Sequence, residues 1–324
     1  MKKIGKFMAI AVFAAAVVVS AQHAFSGGAT YTGSSLCGMC HKKRDSGVTA
    51  WEASKHSKAL ATLSTEEAKK ISASAATDEK CLACHTTGFG MEGGYKVGGD
   101  NSKVENVGCE SCHGAGSGYK GIMSKKPDIF DNGLIVPSVA VCVKCHNKTS
   151  PTYKEFHYAE AAATIRHGVE ADMAKPVVQA GYTGVAKCSM CHKSRDTSVD
   201  VMNASKHINA LESLKTEAAK KLSADPLNDP TCLSCHTTGY TDAGGYDAAA
   251  ADDAKAKVAG VTCESCHGAG EKYAKTMKSR EESLANGMII PNEKTCRKCH
   301  NSLSPTYKDF KYEEAVKVIA HTKK

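Results

Sequence analysis

Every cysteine of this chain belongs to one short pattern: a cysteine, two other residues, a second cysteine and then a histidine. The sequence has sixteen cysteines, and none falls outside the pattern. Two thiols at this spacing can add across the vinyl groups of one haem, and the histidine can bind its iron as the proximal ligand. The pattern therefore predicts eight covalently bound haem c groups. Its copies are Cys37/Cys40/His41, Cys81/Cys84/His85, Cys109/Cys112/His113, Cys142/Cys145/His146, Cys188/Cys191/His192, Cys232/Cys235/His236, Cys263/Cys266/His267 and Cys296/Cys299/His300.

Two other chemistries also use pairs of cysteines. Sixteen cysteines in an exported chain could form eight disulfides, and pairs of the motif could build zinc sites. Neither requires a histidine directly after the second cysteine. The chain has 14 histidines in 324 residues, so chance would have to place one at this position eight times. Haem attachment is therefore the preferred interpretation.

The chain consists of two related halves. Tyr-Thr-Gly opens them at 31–33 and 182–184, and Cys-Glu-Ser-Cys-His-Gly-Ala-Gly recurs at 109–116 and 263–270. The offset is 151 residues and rises to 154 after an insertion before the third motif. Such internal repetition indicates two copies of one structural unit. We predict a first domain with four haems at 27–168, a linker at 169–180 that contains Pro176, and a second domain with four haems at 181–324.

The first residues have the features of an export signal. Three lysines lie within the first six residues, an apolar run extends from Phe7 to Ala21, and small residues surround Phe25. We expect residues 1–26 to be removed and the product to reach the periplasm or the outside of the cell. No later segment is apolar enough to cross a bilayer, so the mature chain is expected to lack an integral membrane segment.

Composition and charge agree with a chain that surrounds cofactors. Aromatic residues make up only 6% of the sequence, so side chains alone would form a small core, and porphyrins would fill the interior. The formal net charge of +8 gives no argument for nucleic-acid binding, because haem propionates would offset it. The chain also lacks a dinucleotide-binding loop and has no spare cysteine for an iron–sulfur cluster.

The pattern of secondary structure is mainly helical. Residues 51–63, 158–167 and 312–321 have helical composition, glycine-rich connectors such as 88–99 separate such segments, and strands are not evident. We predict a mainly α fold with long loops, arranged as two tandem domains around the haems.

Four sequence features occur once in each half. They are Cys-x-x-Cys-His-Lys near the start, Lys-His-x-x-Ala-Leu fifteen residues later, Cys-x-x-Cys-His-Thr-Thr-Gly followed by Gly-Gly-Tyr, and Cys-Glu-Ser-Cys-His-Gly-Ala-Gly. In these features each half resembles the tetrahaem cytochrome c554 family. The resemblance implies electron transfer through closely packed haems, most of them with two histidine ligands. It also implies one five-coordinate haem per domain, at the second motif, which here carries His85 or His236.

The supply of second ligands for the irons is limited. Five histidines lie outside the motifs and the export signal: His56, His157, His167, His207 and His321. Eight irons share these five residues, so at least three irons must lack a distal histidine. His56 and His207 match a distal ligand of the family, and His167 and His321 match one near the domain end. His157 aligns with Lys311 in the other half, and we expect it to be a surface residue.

Methionines stand where the family has its remaining distal histidine. These residues are Met123 and Met277. A thioether can bind iron and raises the reduction potential relative to histidine; the alternative is that each methionine packs against a haem edge. The first haem of each half, on His41 or His192, is therefore open to methionine, lysine or no sixth ligand. Met39 and Met190 also repeat, and we expect them to pack locally inside the cysteine loop.

The leading functional hypothesis is electron transport between a redox enzyme or quinol-linked donor and a downstream acceptor, with redox proteins as partners. One alternative is a reductase of nitric oxide, hydroxylamine or nitrite at a five-coordinate haem. The multihaem nitrite reductases, however, attach their catalytic haem through a motif that ends in lysine, and no motif here does. A second alternative, which requires self-association, is a subunit of an extracellular cytochrome filament.

Overall fold

The computed structural model describes residues 28–124, 128–167, 181–276 and 279–322. Within these ranges the chain forms short helices joined by long loops, and an isolated bridge pairs Thr237 with Ala259. This confirms the predicted mainly helical, loop-rich fold. No helix in the described ranges combines the length and the apolar character that a membrane span needs. The predicted export signal and the predicted linker both lie outside the described residues.

The two halves contain matching series of helices. The first half has α1 (Ser34–Arg44), α2 (Gly47–Ala53), α3 (Glu66–Ile71), α4 (Glu79–His85), α5 (Cys109–His113), α6 (Asp128–Asp131), α7 (Val139–Cys142) and α8 (Tyr158–Ile165). The second half has α9 (Val185–Arg195), α10 (Ser198–Ala204), α11 (Glu217–Lys220), α12 (Pro230–His236), α13 (Asp252–Ala256), α14 (Cys263–His267), α15 (Arg280–Ala285), α16 (Glu293–Arg297) and α17 (Tyr312–Ile319). Short 3₁₀ helices cover Lys55–Lys58, Leu60–Ser64, Ala210–Lys215 and Tyr273–Lys275. Helix α13 lies close to the three-residue insertion that distinguishes the second half.

The prediction of one continuous helix over residues 51–63 is wrong. Helix α2 ends at Ala53, Ser54 adopts an extended conformation, and two 3₁₀ helices follow. The hydroxyl of Ser54 donates to the Trp51 carbonyl at 2.7 Å, and such local bonds compete with the helical ladder. The predictions for 158–167 and 312–321 are confirmed for the helices, which end at Ile165 and Ile319. His167 and His321 therefore lie just beyond helix ends.

The apolar core is divided into small clusters. One contains Leu63, Ala75 and Leu82. Its counterpart in the second half contains Leu214, Leu233 and Tyr246 together with Val258. In both, a leucine from between the cysteines of the second motif is almost fully buried. The helix of the second motif is thus fixed to its half through this leucine.

The two halves also pack directly against each other. A third cluster joins Ile135, Ala140 and Val141 of the first half to Leu303 of the second, with Cys112 and Cys235 packed against it. Four polar contacts surround this cluster: Ser138 Oγ to the Lys298 carbonyl at 3.1 Å, Arg297 to Asp131 at 3.2 Å, the Ala159 amide to Asp242 at 2.8 Å, and His157 Nδ1 to the Thr241 carbonyl at 3.2 Å.

Candidate haem-binding sites

Short helices or helical turns carry the cysteine–histidine motifs. Helix α4 begins after Asp78, whose carboxylate accepts from the Lys80 amide at 3.0 Å. Helix α12 begins after Asp229, which accepts from the Thr231 amide at 2.8 Å, and has Pro230 at its first position. Both are favoured helix starts. Because residues three and four apart share a helix face, both thiols and the imidazole of a motif point to the same side.

The thiols meet across motifs in a fixed order. All sixteen cysteines lie in the described ranges, and none forms a disulfide. Contacts between thiols join the first motif to the third and the second to the fourth, in both halves: Cys37 with Cys109, Cys84 with Cys145, Cys188 with Cys263, and Cys235 with Cys299. Groups attached to these sulfur atoms would therefore lie at close spacing.

Two of the predicted attachment cysteines, Cys40 and Cys191, lie at the surface. Both are exposed, whereas the other fourteen cysteines are partly buried. Each is the second cysteine of the first motif in its half, on helix α1 or α9, and neither helix contains a buried residue. The first motif of each half thus lies on a surface helix. Haem attachment at these two sulfur atoms stays a prediction, and one edge of each such haem would face solvent.

The surroundings of several other sulfur atoms oppose their ionisation. Burial raises the pKa of the Cys112 thiol to about 11 and that of the Cys142 thiol to about 12. Zinc binds thiolate, not thiol, whereas a thioether carries no charge and suits an apolar environment. The described ranges also hold no group of three or more histidine, cysteine or acidic side chains placed to bind a metal ion by themselves. The Cys112 and Cys142 sites therefore fit thioether attachment better than zinc.

Four motif histidines face a second histidine. The ring centroids of His146 and His56 are 6.0 Å apart, and those of His113 and His167 are 5.8 Å apart. The second half repeats both values, with His300 and His207 at 6.0 Å and His267 and His321 at 5.8 Å. A metal held by two imidazole nitrogens at about 2 Å each separates the ring centroids by roughly 6 Å. The spacing thus fits an iron between each pair.

Burial keeps six of these eight imidazoles neutral, which is the form that binds a metal. It lowers the pKa of His113 to about 4, and it also lowers the pKa of the rings of His56, His146, His207, His267 and His300. Phe156 stacks on His146 at 4.7 Å between centroids, and Phe310 stacks on His300 at 4.5 Å. The aromatic rings therefore fix the orientation of the imidazoles in the fourth motif of each half.

The histidines of the first two motifs in each half have other partners. In the second motif, Nδ1 of His85 meets the Ala59 carbonyl at 2.7 Å, and Nδ1 of His236 meets the Ala210 carbonyl at 2.8 Å. In the first motif, a carboxylate lies at Nδ1: Asp45 at 2.6 Å from His41, and Asp196 at 2.5 Å from His192. In all four, a donating Nδ1 leaves Nε2 free to bind a metal.

The two carboxylates are ionised. Burial raises the pKa of each, but the hydrogen bonds that they accept outweigh it. Those bonds come from the histidine and from the backbone amide of Gly47 or Ser198. The pKa of Asp45 lies below its usual value, and that of Asp196 falls to about 2.

The remaining ligand candidates lie elsewhere. His157 lies at the contact between the halves, 3.2 Å from the Thr241 carbonyl, with its side chain 40% exposed. Met123 is partly buried in the loop after α5, and Met277 lies outside the described residues. Met39 and Met190 are 75% and 74% exposed. The expectation that these two pack locally is therefore wrong, because the third motif position lies on the outer face of a surface helix.

The third motif of each half also contains one buried carboxylate that was not predicted from the sequence. Glu110 is 1% exposed and accepts from the backbone amides of Gly33 and Gly116, both at 2.6 Å, and of Thr32 at 2.9 Å. Glu264 is 2% exposed and makes the same bonds to Gly184, Gly270 and Thr183. Backbone amides can stabilise a buried carboxylate in place of a cation. The glutamate and the residues that donate to it lie in segments whose sequences are identical in the two halves, and this repetition could have indicated the contact.

Comparison with known proteins agrees with the motifs. The family model described as cytochrome c554 and c-prime matches residues 36–114 and 187–268. Cytochrome c-554 of Nitrosomonas europaea is 30% identical over 128 residues, which are 37% of this chain and 53% of that protein. This chain thus spans about half the length of that relative. The solved reduced state of cytochrome c554 from the same organism is 27% identical over 43% of this chain and 78% of the other, with a TM-score of 0.33.

The two matched segments fall in the two halves and together contain six of the eight motifs. They support the tandem arrangement of two similar units. Each half of the chain therefore contains a segment that matches the cytochrome c554 family, and this match indicates a multihaem c-type cytochrome with covalently bound haem c.

Proposed function

We propose that this chain is an octahaem c-type cytochrome that carries electrons, with four haems in each half. The observation that carries the proposal is the set of four histidine pairs at iron-spanning distance. Each pair contains one motif histidine, and the second half repeats both spacings of the first. Haem supplies a one-electron couple between ferric and ferrous iron. The chain's own residues attach it, bind its iron and limit the access of water to it.

The histidine pairs support a ligand assignment for four irons. We assign His113 with His167 and His146 with His56 in the first half, and His267 with His321 and His300 with His207 in the second. The count from sequence left at least three irons without a second histidine. Since His157 lies at the contact between halves, the assignment leaves four, on His41, His85, His192 and His236. This is two per half, one more than the family resemblance implies.

The thiol contacts support a relay. They join the first motif to the third and the second to the fourth in each half. Cys112 and Cys235 then pack against the same apolar cluster between the halves. Haems on the first and third motifs of the first half would thus form one series with haems on the second and fourth motifs of the second half. Such a series suits transfer from a redox enzyme or quinol-linked donor to a downstream acceptor, in the periplasm or outside the cell.

A reductase activity is the second candidate, and the observation that favours it is the set of four motif histidines without a second histidine. An iron with an open position can bind nitric oxide, nitrite or hydroxylamine. Carbon monoxide binding to the ferrous protein would measure the number of open irons. About four equivalents would support open positions, and no binding would exclude this activity.

The test of the main proposal combines two measurements on the purified protein. The mass of the intact chain should correspond to eight attached haems, and a lower haem count would contradict the proposal. Electron paramagnetic resonance of the ferric protein should then show about half of the irons as low-spin centres with two histidine ligands. A protein without such centres would refute the ligand assignment.

A further inference from the structure

We infer that Asp45 and Asp196 set the electron affinity of the first haem in each half, because each accepts a hydrogen bond from the proximal histidine of that haem. The inference rests on the proposed haem attachment at the first motif. It assigns to these two aspartates a role in tuning the iron while the histidine alone binds it. Each of the two sites would thereby become more reducing than the same site without its carboxylate.

Both oxygens of each carboxylate are fixed. In the first half, Oδ2 of Asp45 lies 2.6 Å from His41 Nδ1, and Oδ1 accepts from the Gly47 amide at 2.7 Å. In the second half, Oδ2 of Asp196 lies 2.5 Å from His192 Nδ1, and Oδ1 accepts from the Ser198 amide at 2.9 Å. Each aspartate directly follows the helix that carries the motif. The carboxylate is therefore held against the imidazole by the local backbone.

At three other motif histidines, Nδ1 forms a hydrogen bond with a neutral oxygen. His85 and His236 meet the carbonyls of Ala59 and Ala210, and His267 meets the Ile289 carbonyl at 3.1 Å. The hydroxyls of Thr62 and Ser213 also lie near these rings, each 3.1 Å from Nδ1 of His85 or His236. A carbonyl carries a partial charge, whereas a carboxylate carries a full one. The first motif is thus electrostatically distinct in both halves.

The effect on the iron follows from charge. When Nε2 binds iron, Nδ1 carries the proton and donates it to the carboxylate. The carboxylate draws this proton toward itself, so the imidazole becomes a more basic ligand. A more basic ligand and a nearby negative charge both stabilise ferric iron over ferrous iron, which has one positive charge fewer. Reduction takes up one electron, and at these sites it becomes less favourable.

The first haem site lies close to a second site of the same half. A Cβ atom added to Gly47 would lie 3.0 Å from Cδ2 of His167, so the His41 site lies next to the pair of His113 and His167. The first and third haems would therefore lie close enough to exchange electrons. The Asp196 side chain is 15% exposed and that of Asp45 is 23% exposed. Since solvent screens charge, we expect the larger effect at Asp196.

The experiment uses the full chain with its haems and compares Asp45→Asn and Asp196→Asn with the unchanged protein. Asparagine keeps the shape but removes the charge. In a redox titration with dithionite as the electron source, one haem in each variant should show a ferrous-to-ferric ratio at fixed potential that is about tenfold higher. This corresponds to a midpoint potential about 59 mV higher for a one-electron couple. The iron–histidine stretching band in the Raman spectrum of the ferrous protein should move to lower frequency. Asp45→Glu should retain most of the original ratio.

The matched control is Asp100→Asn. Asp100 is exposed and also accepts from a backbone amide, that of Ser102 at 3.2 Å, but its other contact is the Ser102 hydroxyl at 2.9 Å. Its loss should leave all potentials unchanged. Equal potentials in both Asp→Asn variants and the unchanged protein, with eight haems attached, would overturn the inference and leave the proposed function standing. Fewer than eight haems in the unchanged protein would instead contradict the proposed function.

A measurement on the unchanged protein covers the case in which the variants fail to take up haem. The ferrous protein should show two iron–histidine bands, of which the one at higher frequency belongs to the histidines bonded to carboxylates. The absence of the higher-frequency band would overturn the inference without any substitution.

Discussion

The two halves of the chain agree closely at the candidate haem sites and differ where they touch each other. The histidine pairs, the carboxylates beside His41 and His192, and the buried glutamates recur with distances that agree within 0.2 Å. By contrast, Val143 corresponds to Arg297, His157 to Lys311, and Gly90 to Thr241. The comparison separates residues that serve the sites from residues that join the halves.

Arg297 shows the difference most clearly. Its counterpart Val143 is 2% exposed and apolar, whereas Arg297 is equally buried but charged. Its guanidinium lies 5.3 Å from the Phe130 ring and 5.2 Å from the Phe310 ring, and it bonds to Asp131 of the first half and Glu293 of its own half. The second copy has thus gained a charged contact at a position where the first copy keeps a small apolar side chain.

The largest expected effect concerns the matched histidines. His56→Ala or His207→Ala should each convert one low-spin haem to high spin, because each removes one ring from a pair 6.0 Å apart. Electron paramagnetic resonance of the ferric protein measures this change. The control is His157→Ala, which should leave every spin state unchanged, because His157 contacts the other half. A loss of low-spin signal in the control would break the division between site and contact residues.

The next effect concerns the buried glutamates. Glu110→Gln places an amide nitrogen against backbone amides that now donate to a carboxylate. We expect a loss of about 3 kcal/mol in the free energy of unfolding, from one unmade bond to a charged acceptor and one unsatisfied buried donor. Denaturant titration followed by Soret absorbance measures it, and the exposed Glu105→Gln is the control. Glu264→Gln should lose the same amount, and a much smaller loss there would show that the halves differ at their sites.

The sequence predicted the motif cysteines, the duplication and the helical class, because each depends on local residue patterns. It could not predict which motif histidine would face His56, since that depends on how loops bring distant segments together. For the same reason it could not distinguish the exposed Cys40 and Cys191 from the other fourteen cysteines, because all eight motifs share one pattern. The burial of Glu110 could not be predicted because glutamate is usually exposed. The backbone amides that surround it come together only in the fold. The contact between halves has no periodic signal in the sequence.

A smaller effect is expected at the contact between the halves. Arg297→Met leaves Asp131 and Glu293 without their shared partner, but both carboxylates are partly exposed. Removing one member of a buried pair costs about 3 kcal/mol or more, and partial exposure reduces the loss here to about 2 kcal/mol. The haem potentials of the first half should stay unchanged. The exposed Arg280→Met is the control, and an equal loss of stability there would show that the contact contributes nothing specific.

The smallest effect would come from Thr241, which sits in a backbone conformation that favours glycine. Its φ is 71°, and the corresponding Gly90 has a φ of 72°. The buried hydroxyl of Thr241 has no hydrogen-bond partner among the described residues. A side chain in the left-handed region costs about 1 kcal/mol or more. Thr241→Gly should therefore stabilise the protein by about 1 kcal/mol in thermal or denaturant unfolding.

The converse substitution completes the comparison. Gly90→Thr places the same strain in the first half and should destabilise it by about the same amount. Because the Thr241 carbonyl accepts from His157, the strained residue belongs to the contact between halves. If Thr241→Gly were destabilising, the side chain would be supporting that contact, and its strain would be a requirement of how the second half meets the first.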